Sequence, residues 1–274
     1  MDLTYVLGLL TDEARAEMAA LAQLAPVKNK ASTLRSLSGL FQAVGICKLL
    51  VDADVTKFRE NLIRGAQARR YHLRKSREEG SADDDRFLGL SKVEAVFDAI
   101  VADSPELLRD VVALSGEQWH EGWEYEDDFC YYLFVHRLVG QPGFLASPSA
   151  TALIERFEKA LEGQSSARLE LCKAVQTRNG KGLREAFEFF LTARKHELDA
   201  RRPRITEYTA QAIFWPRSFV SIEALAWLCI AQRIDLEMND DFLFCPPEAR
   251  GRHKPLEVED FFEGLDLALD GAQG

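Results

Sequence analysis

The chain is poor in every pattern that marks an enzyme, a membrane protein or a nucleic-acid binder. Its five cysteines (Cys47, Cys130, Cys172, Cys229 and Cys245) are odd in number and share no metal-ligand spacing. Four lie in apolar helical runs, as in Trp227-Leu228-Cys229-Ile230, and read as reduced core thiols of a cytoplasmic protein. No uninterrupted run approaches the roughly 18 apolar residues of a membrane span. The opening Met1-Asp2-Leu3-Thr4 sets no basic segment before an apolar stretch, so no secretory signal is expected. A Gly-x-Ser-x-Gly elbow is missing, and the Gly180-Lys181-Gly182 step lacks the spacing of a phosphate loop. The five histidines (His72, His120, His136, His196 and His253) are scattered. Neither catalysis nor a cofactor is expected. Excess positive charge is lacking too: 34 Lys and Arg face 44 Asp and Glu, a net charge of -10. That balance argues against direct nucleic-acid binding and suits a basic protein partner.

Prolines number only nine and fall between periodic segments or at first-turn positions, as expected when nearly everything else is helix. No Asn-Gly or Asp-Gly turn is flanked by alternating apolar strands. The pattern predicts helices over 11–25, 32–53, 55–78, 91–103, 105–115, 125–140, 148–162, 165–178, 180–200, 206–214, 218–234 and 257–270. In the second, Leu34, Leu37, Phe41 and Val44 form one buried stripe. Ser104-Pro105 and Ser147-Pro148 place an N-cap before a proline at the first helical position.

A helix–turn–helix pair recurs three times. Asp54, Ser104 and Asn179 align without gaps, each a side chain able to cap a first turn. Upstream lie Ile46-Cys47 with Leu50, Val96-Phe97 with Ile100, and Leu171-Cys172 with Val175, one apolar corner in three copies. Downstream come Phe58-Arg59-Glu60, Leu108-Arg109-Asp110 and Leu183-Arg184-Glu185. The first and third copies also share Ala68-Arg69 and Ala193-Arg194. The spacing is irregular, so this is no tandem array. It predicts an all-α fold of irregular stacked helical hairpins, about 10–12 helices in one domain over 1–274. Glu78 to Asp85, polar and glycine-containing, is the best internal loop, with a subdivision at 1–79 and 86–274.

Residues 117–128 are the densest chemical patch. Glu117, Glu121, Glu124, Glu126, Asp127 and Asp128 interleave with Trp119, Trp123 and Tyr125. Three readings compete. His120, Glu121 and Glu124 resemble part of a metal site, but the second histidine of His-Glu-x-x-His is absent. Carboxylates beside large aromatics also suit capture of a basic partner, with charge for steering and rings for anchoring. In the third reading the aromatics are core and the acids cap the helix starting near Glu126. Further acids lie at 235–241 (Asp235, Glu237, Asp240, Asp241) and in the C-terminal helix (Glu257, Glu259, Asp260, Glu263, Asp266), whose apolar side carries Phe261, Phe262, Leu265 and Leu269. The helix at 55–78 is basic, with Lys57, Arg59, Arg64, Arg69, Arg70, Arg74, Lys75 and Arg77; such a stripe reads first as a solvated face. Pairing with an acidic patch comes next, and RNA contact last.

The segment from Ser218 to Pro246, an apolar helix with a polar turn and an acidic-aromatic exit, resembles the C-terminal signature of the immunity protein 49 family, found beside bacterial polymorphic toxins. Val96 to Arg109 resembles that family's helix-Asp-x-x-x-Leu step, and Glu155 to Leu161 its later helices. The helical immunity proteins of polymorphic nuclease toxins are similar as well. The resemblance implies an all-α, non-catalytic protein, without a cofactor, that binds a cognate toxin of a type VI secretion or related system. It would block the toxin's active site or substrate groove. A basic nuclease is one such toxin, and the acidic faces would meet its groove. The partner-binding residues expected on this reading are Glu121, Trp123, Glu124, Glu126, Asp127, Asp128, Asp240 and Asp241. Nothing in the sequence indicates a homo-oligomer or a membrane partner. The alternative functions are a helical-repeat adaptor for another protein or peptide, and a helical enzyme centred on His120 and Glu124.

Overall fold

The three aligned caps fold into the same turn. Ala53, Asp103 and Arg178, each directly before a cap, adopt φ of 51°, 50° and 50°, the left-handed region that non-glycine residues rarely enter. Asp54 then accepts from the amide of Lys57, and Asn179 from that of Gly182; Ser104 reaches the same backbone position without a side-chain bond. The amides of Ser104 and Asn179 close back on the carbonyls of Ala99 and Ala174 at 3.1 and 3.0 Å, whereas Asp54 reaches Lys48 at 3.2 Å. In the first copy the incoming helix therefore runs one residue further. That rotation explains why Leu49 is buried and Leu50 exposed there, against the expected corner, while Ile100 and Val175 are buried.

These turns belong to a computed structural model that describes residues 2–23, 27–80, 85–92, 94–236, 238–251, 253–263 and 265. Eleven α-helices follow one another among the described residues: α1 Leu3–Leu21, α2 Val27–Asp52, α3 Val55–Glu78, α4 Ala95–Val101, α5 Pro105–Leu114, α6 Glu126–Gly140, α7 Pro148–Ala160, α8 Ala167–Gln176, α9 Gly180–Arg201, α10 Tyr208–Arg217 and α11 Ile222–Arg233. No strand occurs among them, only an isolated bridge between Phe242 and Cys245. The fold is all-α, as the patterning predicts. α2 lies along α3, α4 against α5 and α8 against α9, the three repeated hairpins.

Several helix ends are displaced from expectation, and at α1 and α10 the cause is local. α1 begins at Leu3, because Asp2 accepts from the Thr4 amide at 2.9 Å and Val6, Leu10 and Ala14 extend one buried stripe through Gly8. α10 runs through Pro216 to Arg217, so one proline does lie inside a helix. In the last turn it forfeits a single donor, and two residues on the Ser218 amide still bonds the Phe214 carbonyl at 3.0 Å. At the C-terminal end the described helical turn starts at 261, where Asp260 accepts from the Phe262 amide at 2.9 Å. Residues 257–260 of the helix expected over 257–270 are not helical, and Asp266 to Asp270, with Leu269, lie outside the described residues, as do Ser81 to Asp84 of the expected loop.

The largest correction concerns α3. It is a central helix instead of a solvated stripe: Phe58, Leu62, Ile63 and Ala66 enter the main core and Ala68 and Tyr71 a second one built on α1 and α2. Two of its arginines go inward, because each finds carbonyl oxygens at the ends of other elements. Arg59 donates to the Ala102 carbonyl through two nitrogens, at 3.1 and 2.7 Å, and Arg69 to those of Phe87, Leu88 and Gly89 at 2.6, 2.8 and 3.0 Å. Buried guanidinium groups persist where several acceptors replace water. Two stretches, Lys30–Asp52 and Tyr208–Arg233, reach mean hydropathies of 1.4 and 1.3; both are core segments, 67% buried.

Candidate functional site

The aromatic and acidic loop between α5 and α6 is locked by its own side chains. Gly122 supplies a turn at φ 84°. Trp119 packs on the main core and its indole N–H donates to the Glu124 carbonyl at 3.1 Å. The Glu124 carboxylate is buried and accepts from the amides of Leu90 at 3.3 Å and Ser91 at 2.8 Å. This corrects the expectation that Glu124 faces a partner or a metal: its lone pairs are used inside the fold. His120 stacks on Trp123 with ring centroids 4.2 Å apart, and no group of three His, Cys, Asp or Glu among the described residues is placed to hold a metal ion.

The other acids of the loop divide into paired and unpaired. Glu117 binds Arg137 at 2.7 Å, Glu126 binds Arg156 at 2.8 Å and Asp128 binds Arg168 at 2.9 Å. Burial pushes the Asp128 carboxyl above the usual carboxylate range, against the pull of Arg168. Glu121 is exposed and Asp127 half-buried, and neither forms an ion pair among the described residues. Between them Trp123 is half-buried and the Tyr125 ring is 79% exposed.

The remaining acidic stretches are partly spoken for. Asp240 pairs with Arg184 of α9, and its carbonyl accepts from Arg250 at 2.6 Å; Asp241 and Asp235 are exposed, and Glu237 lies outside the described residues. Asp260 pairs with Arg70, while Glu263 reaches Arg70 at 3.2 Å and Arg74 at 3.8 Å. So α3 meets the C-terminal acids, the intramolecular pairing weighed against a solvated face.

A buried polar network is the feature that sequence reasoning missed. Arg168 Nε and one terminal nitrogen fork onto both Glu223 oxygens at 2.8 and 3.0 Å. The Tyr131 hydroxyl donates to Glu223 at 2.7 Å and accepts from the Trp227 indole at 2.7 Å. Arg168 also lies 4.7 Å over the Tyr131 ring. Burial disfavours the Arg168 charge, but Glu223 and the neighbouring tyrosines more than offset it, holding its pKa well above the ordinary value. A second cluster joins Gln42, which donates to Glu94 at 3.2 Å and Asp98 at 2.7 Å. Both acids left a signal: Asp98 interrupts the apolar run from Val96 to Val101, and Glu223 that from Phe219 to Ile230. All five thiols are pushed above the ordinary range, by burial in every case: Cys130 and Cys229 to about 11, Cys47 and Cys245 to about 12, and Cys172 well upward. They are free cysteines without thiolate character at neutral pH.

Neither a curated protein nor a solved structure matches the chain. The family model described as Immunity protein 49 matches residues 77–249, from the end of α3 through α11. That span takes in the α4–α5 and α8–α9 hairpins, the locked loop, the Arg168–Glu223 network and the Glu94 and Asp98 carboxylates of the second cluster, and the chain belongs to the immunity protein 49 family.

Proposed function

We propose that the protein is a cytoplasmic, non-catalytic inhibitor that binds a cognate toxin and covers its active site or substrate groove, using the 117–128 loop as its contact surface. The observation that carries this reading is the exposed Tyr125 set between Glu121 and Asp127, carboxylates without a counter-ion among the described residues, on a loop fixed by Glu124 and Trp119. An exposed aromatic on a rigid support offers contact area at small entropic cost, and unpaired acids speed encounter with a basic surface. Trp123, stacked on His120, extends the same surface. Glu126 and Asp128 contribute to its field while paired, and Asp240 and Asp241 form a second acidic edge. A basic nuclease is the toxin this charge pattern fits best.

The test is co-expression with the toxin encoded beside the gene. Wild-type protein should restore growth, and the triple variant Glu121→Lys, Tyr125→Ala, Asp127→Lys should lose protection while keeping its thermal unfolding midpoint. Full protection by that variant would remove the loop from the interface.

A further inference from the structure

A cavity of about 350 Å³ opens between α9, α10 and α11, and its wall gathers Arg168, Arg194, Arg201 and Arg217 in a chain whose net charge is -10. Only three carboxylates share the wall: Glu94, Glu197 and Glu223. Their allocation is uneven. Arg168 is taken by Glu223 and Asp128, and Arg201 by Glu197 at 3.2 Å. Among the described residues Arg217 pairs with Glu94 alone, at 3.7 Å, while Arg194 forms no ion pair and donates to the Arg217 carbonyl at 2.9 Å. The Nε–H groups of Arg194 and Arg217 are both buried without an acceptor. Burial pushes the Arg194 pKa below its ordinary value, with Glu94 opposing and Arg217 adding to the shift.

Two neighbours strengthen the positive field. The first turn of α11, Ile222 and Glu223, lines the same space, so the positive end of that helix dipole lies beside the two guanidinium groups. A second cavity of about 420 Å³ shares Gln42, Glu94, Ile213 and Arg217 with the first and adds Arg35 and Lys92. Its further acid, Asp98, is held neutral by burial, with a pKa pushed up to about 8.

We propose that this cavity binds a small oxyanion, a phosphate or carboxylate group, between Arg194 and Arg217 at the N-terminus of α11. The anion supplies the missing acceptors and the missing negative charge together, and bidentate pairing with guanidinium is the strong form of that contact. The site does not depend on the toxin-binding loop, and its test does not need the toxin.

Full-length protein is titrated calorimetrically with inorganic pyrophosphate and, separately, with citrate, at ionic strength matched with sodium chloride. Saturable binding of either anion is expected, and which one binds more tightly identifies the source of the oxyanion. Arg217→Gln should weaken binding at least tenfold. Glu94→Gln keeps every arginine, removes the competing carboxylate and should tighten binding several-fold, so it carries the test if Arg217→Gln fails to fold. The absence of saturable binding by both anions would overturn the proposal, as would an affinity unchanged by Glu94→Gln.

Discussion

Arg69 and Glu124 grip one stretch of backbone by its two kinds of polar group. The guanidinium donates to the carbonyls of Phe87, Leu88 and Gly89, and the carboxylate accepts from the amides of Leu90 and Ser91. A segment with no regular ladder of its own is thereby satisfied group by group. Burial pushes the Arg69 pKa down to about 10, with Asp85 and Glu124 opposing, so it remains a cation at neutral pH.

Arg69→Met should therefore expose residues 85–92 to protease and lower stability by about 2–3 kcal/mol, the scale of losing charge-assisted bonds to buried carbonyls. Arg69→Lys should not rescue it, because an ammonium cannot span three carbonyls in a fork. Limited proteolysis with peptide mapping reads the outcome; equal resistance of variant and wild type would show that the clamp is redundant.

The Arg168–Glu223 fork makes an opposite-sign claim about single and double variants. Arg168→Met leaves Glu223 charged and buried, which should cost about 3 kcal/mol, the lower end for a broken buried pair because Arg168 is one-third exposed. Replacing both, Arg168→Met with Glu223→Met, should recover most of that loss. Urea unfolding of the four-member cycle measures it, and simple additivity would deny the coupling.

Most helices were legible in the sequence because their boundaries are local. The turn made by Ala53-Asp54 recurs at Asp103-Ser104 and Arg178-Asn179 with the same left-handed φ, and the cap residues with their flanking apolar corners located all three. The shared Ala-Arg ends also proved alike in use, since Arg69 and Arg194 both donate to backbone carbonyls. What could not be read was long-range pairing. The counter-ions of Glu117, Glu126 and Asp128 lie 20, 30 and 40 residues away, so an acidic cluster in sequence hid which carboxylates remain unpaired. For the same reason α3 looked solvated, since its acceptors belong to segments up to 195 residues distant.

The left-handed residues of the repeated turns predict gains. Ala53→Gly and Arg178→Gly, both at exposed positions, should each stabilise the protein by about 0.5–1 kcal/mol by relieving the Cβ conflict at positive φ. A loss in thermal midpoint at both sites would mean that the turn tolerates its side chains without strain.

Asp98 gives the pH prediction. Its carboxyl is raised to about 8 from an ordinary 3.8, chiefly by burial, so the folded state holds a proton that the unfolded chain releases. Folded protein then binds more protons than unfolded between those two values, and stability contributed by this group falls as pH rises across that window. Asp98→Asn should leave stability almost unchanged near pH 4 and become progressively more stable than wild type towards pH 8. Parallel stability–pH curves for the two proteins would assign the proton elsewhere.

Association kinetics with the cognate toxin test the central claim most directly, with wild type compared against the Glu121→Lys, Tyr125→Ala, Asp127→Lys variant over a range of salt. Docking through the loop predicts an association rate at least tenfold slower for the variant at low salt, a shallower salt dependence and faster dissociation. Equal rates and equal salt dependence would contradict it and place the interface on another face of the helical stack.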